Sequence, residues 1–231
     1  MKPKHLPYEI DPSQNRMHYY ETYWKMVGLE LLRKHFPNPE VKSILDFGCG
    51  RGEVLPIYQK QGYDVLGTDS DEECVRISGK TGKAVLLDTS DPLKQFGEKS
   101  FDAVVCYHVM EHVPSPIETI QTLSKIARKA VVIAVPNLQT LTGLFRRRVS
   151  VANVNEGHLQ SWDHAHLLSL AQRHGNLELI EWGFDTTILP IFNRFGPRLI
   201  GQSGMIKLET KVFPKIFPYH GLSVLGIFKP V

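Results

Sequence analysis

Cysteine is scarce: Cys49, Cys74 and Cys106 are the only three in 231 residues, an odd number without metal-ligand spacing. That excludes a disulfide framework and a thiolate zinc site. It leaves small buried thiols in a reducing compartment as the reading for Cys49 and Cys106, which fall in or beside apolar runs. No apolar run approaches the ~18 residues of a membrane span. The opening "MKPKHLPYEIDP" has no apolar core for a signal peptide, so a cytoplasmic protein is expected. Charge of one sign is scarce as well: 27 basic against 24 acidic residues leave +3. That is too little to argue for nucleic acid, no RNA-binding module is evident, and no nucleic-acid partner is expected. Internal repeats and low-complexity tracts are missing too.

What is present is an ordinary globular balance, 42% apolar and 22% charged, with length for one well-buried domain. Residues 1–15 are polar and Pro-rich and read as a loose arm. Met17, Tyr20, Trp24, Val27 and Leu31 then recur at helical spacing, and Pro37 ends that helix. From residue 41 strands and helices alternate. "KSILDF", "DVLGTD", "AVLLD", "FDAVVCYH" and "KAVVIAVP" read as strands. Between them "EVLPIYQKQG", "DEECVRISGK" and "SPIETIQTLSKIA" read as helices, the last opened by Ser115, Pro116 and Glu118 as a capping box. "SWDHAHLLSLAQRHG" is a further helix with Ser161 as its cap. Two strands, "LELIEWGF" and "LSVLGIFKP", finish the chain around a long irregular insert. Alternation at this pace predicts an α/β fold on a largely parallel sheet.

"LDFGCGRGE", residues 45–53, carries Gly48, Gly50 and Gly52 behind Asp46 and around Cys49. In open parallel sheets ligands bind beyond the carboxyl ends of the strands, and the backbone N–H groups of this loop are expected to face one. A dinucleotide site wants G-x-G-x-x-G; here the spacing is D-x-G-x-G-x-G, and Asp46 and Glu53 would oppose a pyrophosphate. A cation suits them. Asp69, with Ser70 after it, ends the second strand where a carboxylate takes ribose hydroxyls. Asp88 ends the third and can accept from an exocyclic amine, while Thr89 N–H faces a ring nitrogen. A ribose, an adenine-like amine and a positive end together describe S-adenosylmethionine.

With those motifs in order, the sequence resembles the class I S-adenosylmethionine-dependent methyltransferases over roughly residues 40–185 and, more weakly, the final strand. "ILDFGCGRGEVL" is similar to their first motif, "VLGTDSD" to their ribose acid, "LLDTSDPL" to their adenine motif and "VVIAVPN" to their fifth strand. The resemblance implies a Rossmann-like, seven-stranded sheet in order 3-2-1-4-5-7-6 with strand 7 antiparallel. One domain is expected: residues 1–40 as arm and helix, 41–185 as cofactor-binding core, 186–231 as insert and final strand, with the N-terminal helix and the insert as lid. A departure is "SKIARKAVV", where many relatives carry a Gly pair before the fifth strand.

"HVMEH", residues 108–112, leaves the fourth strand at the ligand edge, and "EGHLQSWDH" brings His158 to the same edge. His108 backbone is expected near the methionine part of the cofactor. Three readings stay open for the rest. Glu111 and His112 tie loops together, or His112 or His158 is a general base, or His108, Glu111, His112 and His158 hold a divalent ion. The last rests on a resemblance to the E-x-x-E-H motif, plus a later His, of small-RNA 2′-O-methyltransferases and ubiquinone-pathway O-methyltransferases, with His108 in place of the first Glu. A protease built on H-x-x-E-H would need one helix, which this strand-to-turn segment does not offer. His112 and His158 are the candidate catalytic residues, and no metal is assigned.

On the acceptor side, Tyr20 and Trp24 fall on the packing face of the first helix, leaving Tyr19 and Tyr23 as pocket candidates. Arg146–Arg147–Arg148 and the insert, with Arg194, Arg198, Lys211 and Lys215 among apolar residues, suit a membrane surface or an apolar, anionic substrate. The expected function is methyl transfer to a small-molecule or lipid-like acceptor, on oxygen first. The alternatives are a cofactor-binding protein without transfer, as scaffold or regulatory partner, or a metal-assisted O-methyltransferase acting on a quinol or an RNA ribose.

Overall fold

Near-continuous apolar runs in the central strands are buried at successive residues, and that dictates a sheet covered on two faces. The computed structural model describes residues 16–37, 39–144, 155 and 157–231; the arm over residues 1–15 and the Arg146–Arg148 cluster lie outside them, as does the Arg194 side chain. Seven strands form one sheet: β1 (Ser43–Phe47), β2 (Asp64–Asp69), β3 (Lys83–Leu86), β4 (Phe101–Tyr107), β5 (Ala127–Pro136), β6 (Leu177–Gly183) and β7 (Ser223–Pro230). Their order is β3-β2-β1-β4-β5-β7-β6. β7 runs antiparallel to both neighbours and the remaining pairs are parallel, as the resemblance implies.

The helices are α1 (Arg16–His35), α2 (Leu55–Lys60), α3 (Glu72–Ser78), α4 (Pro92–Phe96), α5 (Pro116–Ile126), α6 (Leu141–Leu144), α7 (His164–Arg173), α8 (Pro190–Lys207) and α9 (Phe213–Ile216). Along β5 the period of two separates the faces. Ala130, Val132 and Ala134 pack with Trp24, Val27 and Leu31 of α1, while Val131, Ile133 and Val135 pack with Ile120 and Leu123 of α5 and Leu167 of α7. α1 approaches the sheet closely because Gly28 has no side chain: a Cβ there would stand 2.2 Å from the Tyr107 hydroxyl, which itself bonds Tyr58 Oη at 2.6 Å.

Three local expectations change. α7 is capped by Asp163, whose carboxylate accepts from His166 N at 2.8 Å; Ser161 stands too far ahead. β5 starts at Ala127, straight from the end of α5, so the missing Gly pair costs no turn. The insert, expected to be irregular, is mostly helical: α8 runs into a π-helical turn Leu208–Val212, then α9 and a 3-10 turn Pro218–His220. Pro197, Pro214 and Gly201 hid it, and Gly201 breaks α8 at φ +71°. Tyr23 Oη donates to Thr210 O and Tyr20 Oη to the buried Glu209 carboxylate, so α1 and the insert pack as one layer. Among the described residues, no helix is long and apolar enough to cross a membrane.

Candidate functional site

The carboxyl ends of β1, β2 and β4 open into a cavity of about 870 Å³, roofed by α1 and floored by the glycine turn. Small-molecule and cofactor pockets run to about 300–1,000 Å³, so this cavity is of ligand-binding size.

In the turn, Gly48, Gly50 and Gly52 all have left-handed backbone, φ +78°, +54° and +76°. A Cβ on Gly48 would stand 2.2 Å from Val109 Cγ2, and one on Gly52 2.6 Å from Ser78 Cβ, whereas one on Gly50 meets nothing within 4 Å. Packing therefore explains two of the glycines, and Gly50 alone presents bare backbone to open space. The expectation that the loop's N–H groups face a ligand is corrected. Gly48 N and Cys49 N both donate to Thr68 O (2.8 and 2.9 Å), Gly52 N donates to Cys49 O, and Gly50 N donates to Asp69 Oδ2 at 2.8 Å. Four donors spent inside the protein leave no phosphate nest. Cys49 is buried in this turn, and desolvation pushes its thiol up to about 12.

Acid lines the same end. Asp46 is 1% exposed, and its Oδ2 finds no hydrogen-bond donor among the described residues. Burial pushes its carboxyl up to about 7, with Lys25 pulling the other way and Asp69 and Glu53 adding to the rise. An orphaned carboxylate of this kind fits a cationic ligand group. Asp69 accepts from Gly50 N and, at 3.0 Å, from Asp71 N, one bond per oxygen, so each keeps a lone pair for a ribose hydroxyl. Ser70, Leu87, Thr89 and Pro92 complete that wall. Asp88 does not line it: its Oδ1 takes both the N–H and, at 2.5 Å, the hydroxyl of Ser90, and those bonds hold its carboxyl below the usual range.

Just beyond β4 His108 sits at φ +55°, an uncommon conformation for a side-chain-bearing residue. Its ring lies flat on Trp24, centroids 4.3 Å apart, and its Nε2 is 3.3 Å from Ser223 Oγ. Burial pushes its imidazole down to about 3, helped by the charges of Lys25, His158 and His112. Glu111 is fully buried, and neither oxygen has a hydrogen-bond partner among the described residues. Oε1 stands 3.7 Å from His108 Nδ1 and 3.9 Å from His112 Nε2, and burial pushes the carboxyl up to about 7. His112 Nδ1 lies 3.0 Å from the Gly157 carbonyl. A carbonyl only accepts, so Nδ1 carries the hydrogen and the neutral ring's lone pair is on Nε2. His158 meets His112 edge-on at 4.8 Å without lining the cavity, and burial, then His112, lowers its pKa.

Ligand atoms of Glu111, His112 and His158 lie within 4.8 Å of one another. His108 is not in that group, although its Nδ1 is 3.7 Å from Glu111 Oε1, so the four-residue set contracts to three. Trp24, read as core, belongs to the buried cluster and at the same time lines this cavity with Lys25 and Tyr107. Tyr23, read as a pocket candidate, is buried and lines a separate 530 Å³ groove with Trp182, Phe184 and Lys211, and Tyr19 stacks on Tyr23. A helical repeat marks the buried stripe but not which end of it reaches the sheet's ligand edge. A lysine beside that stripe, Lys25 after Trp24, was the available signal.

Strand order β3-β2-β1-β4-β5-β7-β6 with an antiparallel β7 is the sheet of the class I methyltransferase fold. A family model described as a methyltransferase domain matches residues 17–181, and the chain belongs to that family. The ubiquinone biosynthesis O-methyltransferase of Aliivibrio fischeri is 30% identical over 93 residues, 38% of this chain and 40% of that protein; the chain thus spans about two fifths of the length of the curated relatives it matches. A SAM-dependent methyltransferase of Archaeoglobus fulgidus superposes with a TM-score of 0.57 at 19% identity, over 93% of this chain and 99% of that one. Magnesium protoporphyrin IX methyltransferase from Synechocystis PCC 6803, with bound SAM, gives 0.56 at 14% identity, over 96% and 86%. At such identities these two structures establish the fold.

Proposed function

We propose that the chain transfers the methyl group of S-adenosylmethionine to a hydroxyl of a small-molecule or lipid-like acceptor. The observation that carries this reading is one cavity lined both by an orphaned buried carboxylate, Asp46, and by His112, whose lone pair is on Nε2. Asp46, Gly48, Cys49, Gly50, Asp69, Ser70, Thr89 and His108 line the cofactor's share of the wall. Asp88 would reach the adenine amine only after releasing Ser90. The relatives named ubiquinone biosynthesis O-methyltransferases support oxygen as the target.

In this reading His112 Nε2 takes the hydroxyl proton as the C–O bond forms and the S–C bond breaks, a role worth about 10²–10⁴ in rate. Glu111 is the neighbouring proton holder, and His158 buttresses the His112 ring or substitutes for it as base. The test is transfer of labelled methyl to a panel of phenols, catechols and quinols, with and without an isoprenoid tail. His112→Ala is expected to cut turnover about 100-fold with cofactor affinity unchanged. Methylation of amines or carbon acids with no hydroxyl acceptor used would overturn the choice of oxygen.

The Glu111, His112 and His158 group favours a second reading, in which those residues hold a divalent ion. Two imidazoles and one carboxylate suit a transition metal better than Mg²⁺, which wants oxygen. Activity that survives exhaustive chelation would exclude it. The lipid-like acceptor is supported by α8, which exposes Ile191, Phe192, Phe195 and Leu199 beside Arg198 and contains no acidic residue. That chemistry suits an anionic membrane surface, and failure to sediment with anionic vesicles at low salt would count against it.

A further inference from the structure

The acid end of the cavity also contains a cation, and it comes from α1. Lys25 is only 12% exposed along its side chain, its Nζ bonds Glu53 Oε2, and the ammonium lies 4.9 Å from the Trp24 ring centroid. Lys25, Glu53, Asp46 and Asp69 all line the cavity. Apart from imidazoles, the other cation of that wall among the described residues is Arg51, which is exposed. The ammonium is placed by its contacts, with Glu53 on the glycine turn and with the Trp24 ring, which stacks on His108 at 4.3 Å.

The methionine end of S-adenosylmethionine is a zwitterion, an ammonium and a carboxylate on one carbon. Asp46, Glu53 and Asp69 alone would welcome the first and repel the second. We propose that Lys25 binds the cofactor's α-carboxylate, and that the Lys25–Glu53 ion pair is exchanged for the zwitterion, with the carboxylate on Lys25 and the ammonium on Glu53 and Asp46. The exchange trades one protein pair for two intermolecular ones. It is feasible because Glu53 is one-third exposed, and ion pairs open to solvent contribute little. It makes α1 part of the cofactor site: the helix that carries Trp24 onto His108 is fastened by the ligand itself. The inference rests on the methyltransferase reading and assigns a ligand group to a residue that the glycine-turn motifs do not include.

Calorimetric titration separates the two. Wild-type protein is titrated with S-adenosylmethionine, decarboxylated S-adenosylmethionine, S-adenosylhomocysteine and 5′-methylthioadenosine, which lacks the amino-acid end; Lys25→Ala and Lys25→Arg receive the last two. Lys25→Ala is expected to weaken S-adenosylhomocysteine about 10- to 100-fold and to leave 5′-methylthioadenosine within about twofold, with Lys25→Arg recovering part of the loss. Wild-type protein is expected to lose a similar factor when the ligand's carboxylate is removed. Equal losses for both ligands in Lys25→Ala, or no loss for either, overturn the assignment and leave Lys25 a tie between α1 and the turn. Should Lys25→Ala fail to fold, the wild-type comparison still decides: equal affinity for S-adenosylmethionine and its decarboxylated form refutes the proposal. If wild-type protein binds none of the four, the methyltransferase reading itself is what fails.

Discussion

Replacing Gly28 by alanine tests whether α1 is held to the sheet by close approach. The added Cβ would lie 2.2 Å from Tyr107 Oη and 3.0 Å from Cζ, so helix or ring must move by about 1 Å to restore ordinary contact. Overpacking of this kind costs about 1–3 kcal/mol. Moving Tyr107 also strains its buried 2.6 Å bond to Tyr58, a further ~1–2 kcal/mol if one hydroxyl is orphaned. Alanine's better helix propensity returns about 1 kcal/mol. The net loss is about 1–4 kcal/mol, or a Tm lower by about 3–12 °C for a domain of this size. Thermal and urea unfolding of Gly28→Ala, Tyr107→Phe and the double variant give the cycle. Removing the hydroxyl removes the 2.2 Å contact and leaves only the tight 3.0 Å one to Cζ, so the double variant is expected to be less destabilised than the sum of the singles by at least about 1 kcal/mol. Cofactor affinity of Gly28→Ala is expected to fall as well, since Trp24 and Lys25 ride on the same helix. A Gly28→Ala protein as stable as wild type, or single effects that add, would refute the close-approach argument.

Three further outcomes follow from the same geometry. Asp46 has a raised carboxyl pKa, about 7, so the fold prefers its protonated form and loses stability as pH rises from the unfolded value toward 7. Asp46→Asn is therefore expected to gain on ligand-free wild type by about 1 kcal/mol between about pH 6 and about pH 8, read by urea unfolding; a gap that stays constant or narrows contradicts the burial argument. Asn137 fastens the insert to the end of β5, its Nδ2 donating to Tyr219 O and Gly221 O and its Oδ1 accepting from Gln139 N. Asn137→Ala is expected to cost about 2–4 kcal/mol in a urea titration, and a loss under about 0.5 kcal/mol would mean water takes over those bonds. Gly50→Ala puts a methyl group into open cavity at φ +54°. It is expected to cost about 1–2 kcal/mol of stability and, in addition, to weaken S-adenosylhomocysteine binding by calorimetry; unchanged affinity would mean the cofactor does not pass over this residue.

The sheet was legible because its strands are apolar runs whose ends are marked by Gly, Asp or Pro, and because both faces of β4 and β5 are covered. Asp69 was legible for the same reason: a strand end fixes where its carboxylate emerges. Asp88 was less so, since β3 stops at Leu86 and the two residues beyond it are free to turn the carboxylate onto Ser90. The insert was hidden because proline and glycine break helical periodicity without preventing helix, as Pro197 and Gly201 do inside α8. Trp24 and Lys25 were hidden for a geometric reason. Whether an amphipathic stripe overlies the middle of a sheet or its ligand edge depends on the helix's position along the strands, which no local spacing records.

The charges of the cavity match what a sulfonium donor needs. In the proposed transfer, from a sulfonium to an oxygen that is losing its proton, opposite charges would cancel, so a low-dielectric surround would stabilise the transition state more than the separated ions. Fixed carboxylates beside the sulfur would hold the ground state back equally, since they attract the charge that is about to vanish. The deeply buried acids here avoid that conflict. Asp46 is poised near neutrality until a cation compensates it, Glu111 is likewise raised, and His108 is held neutral against the Trp24 ring. Lys25 and Glu53 are paired with each other in the free protein, and in the proposed exchange each meets an opposite charge of the cofactor instead. On this account, placing a fixed positive charge at His108, as in His108→Lys, should harm methyl transfer more than cofactor-product binding, because S-adenosylhomocysteine has already lost its sulfonium. Equal losses in turnover and in product affinity would show that His108 acts through shape alone.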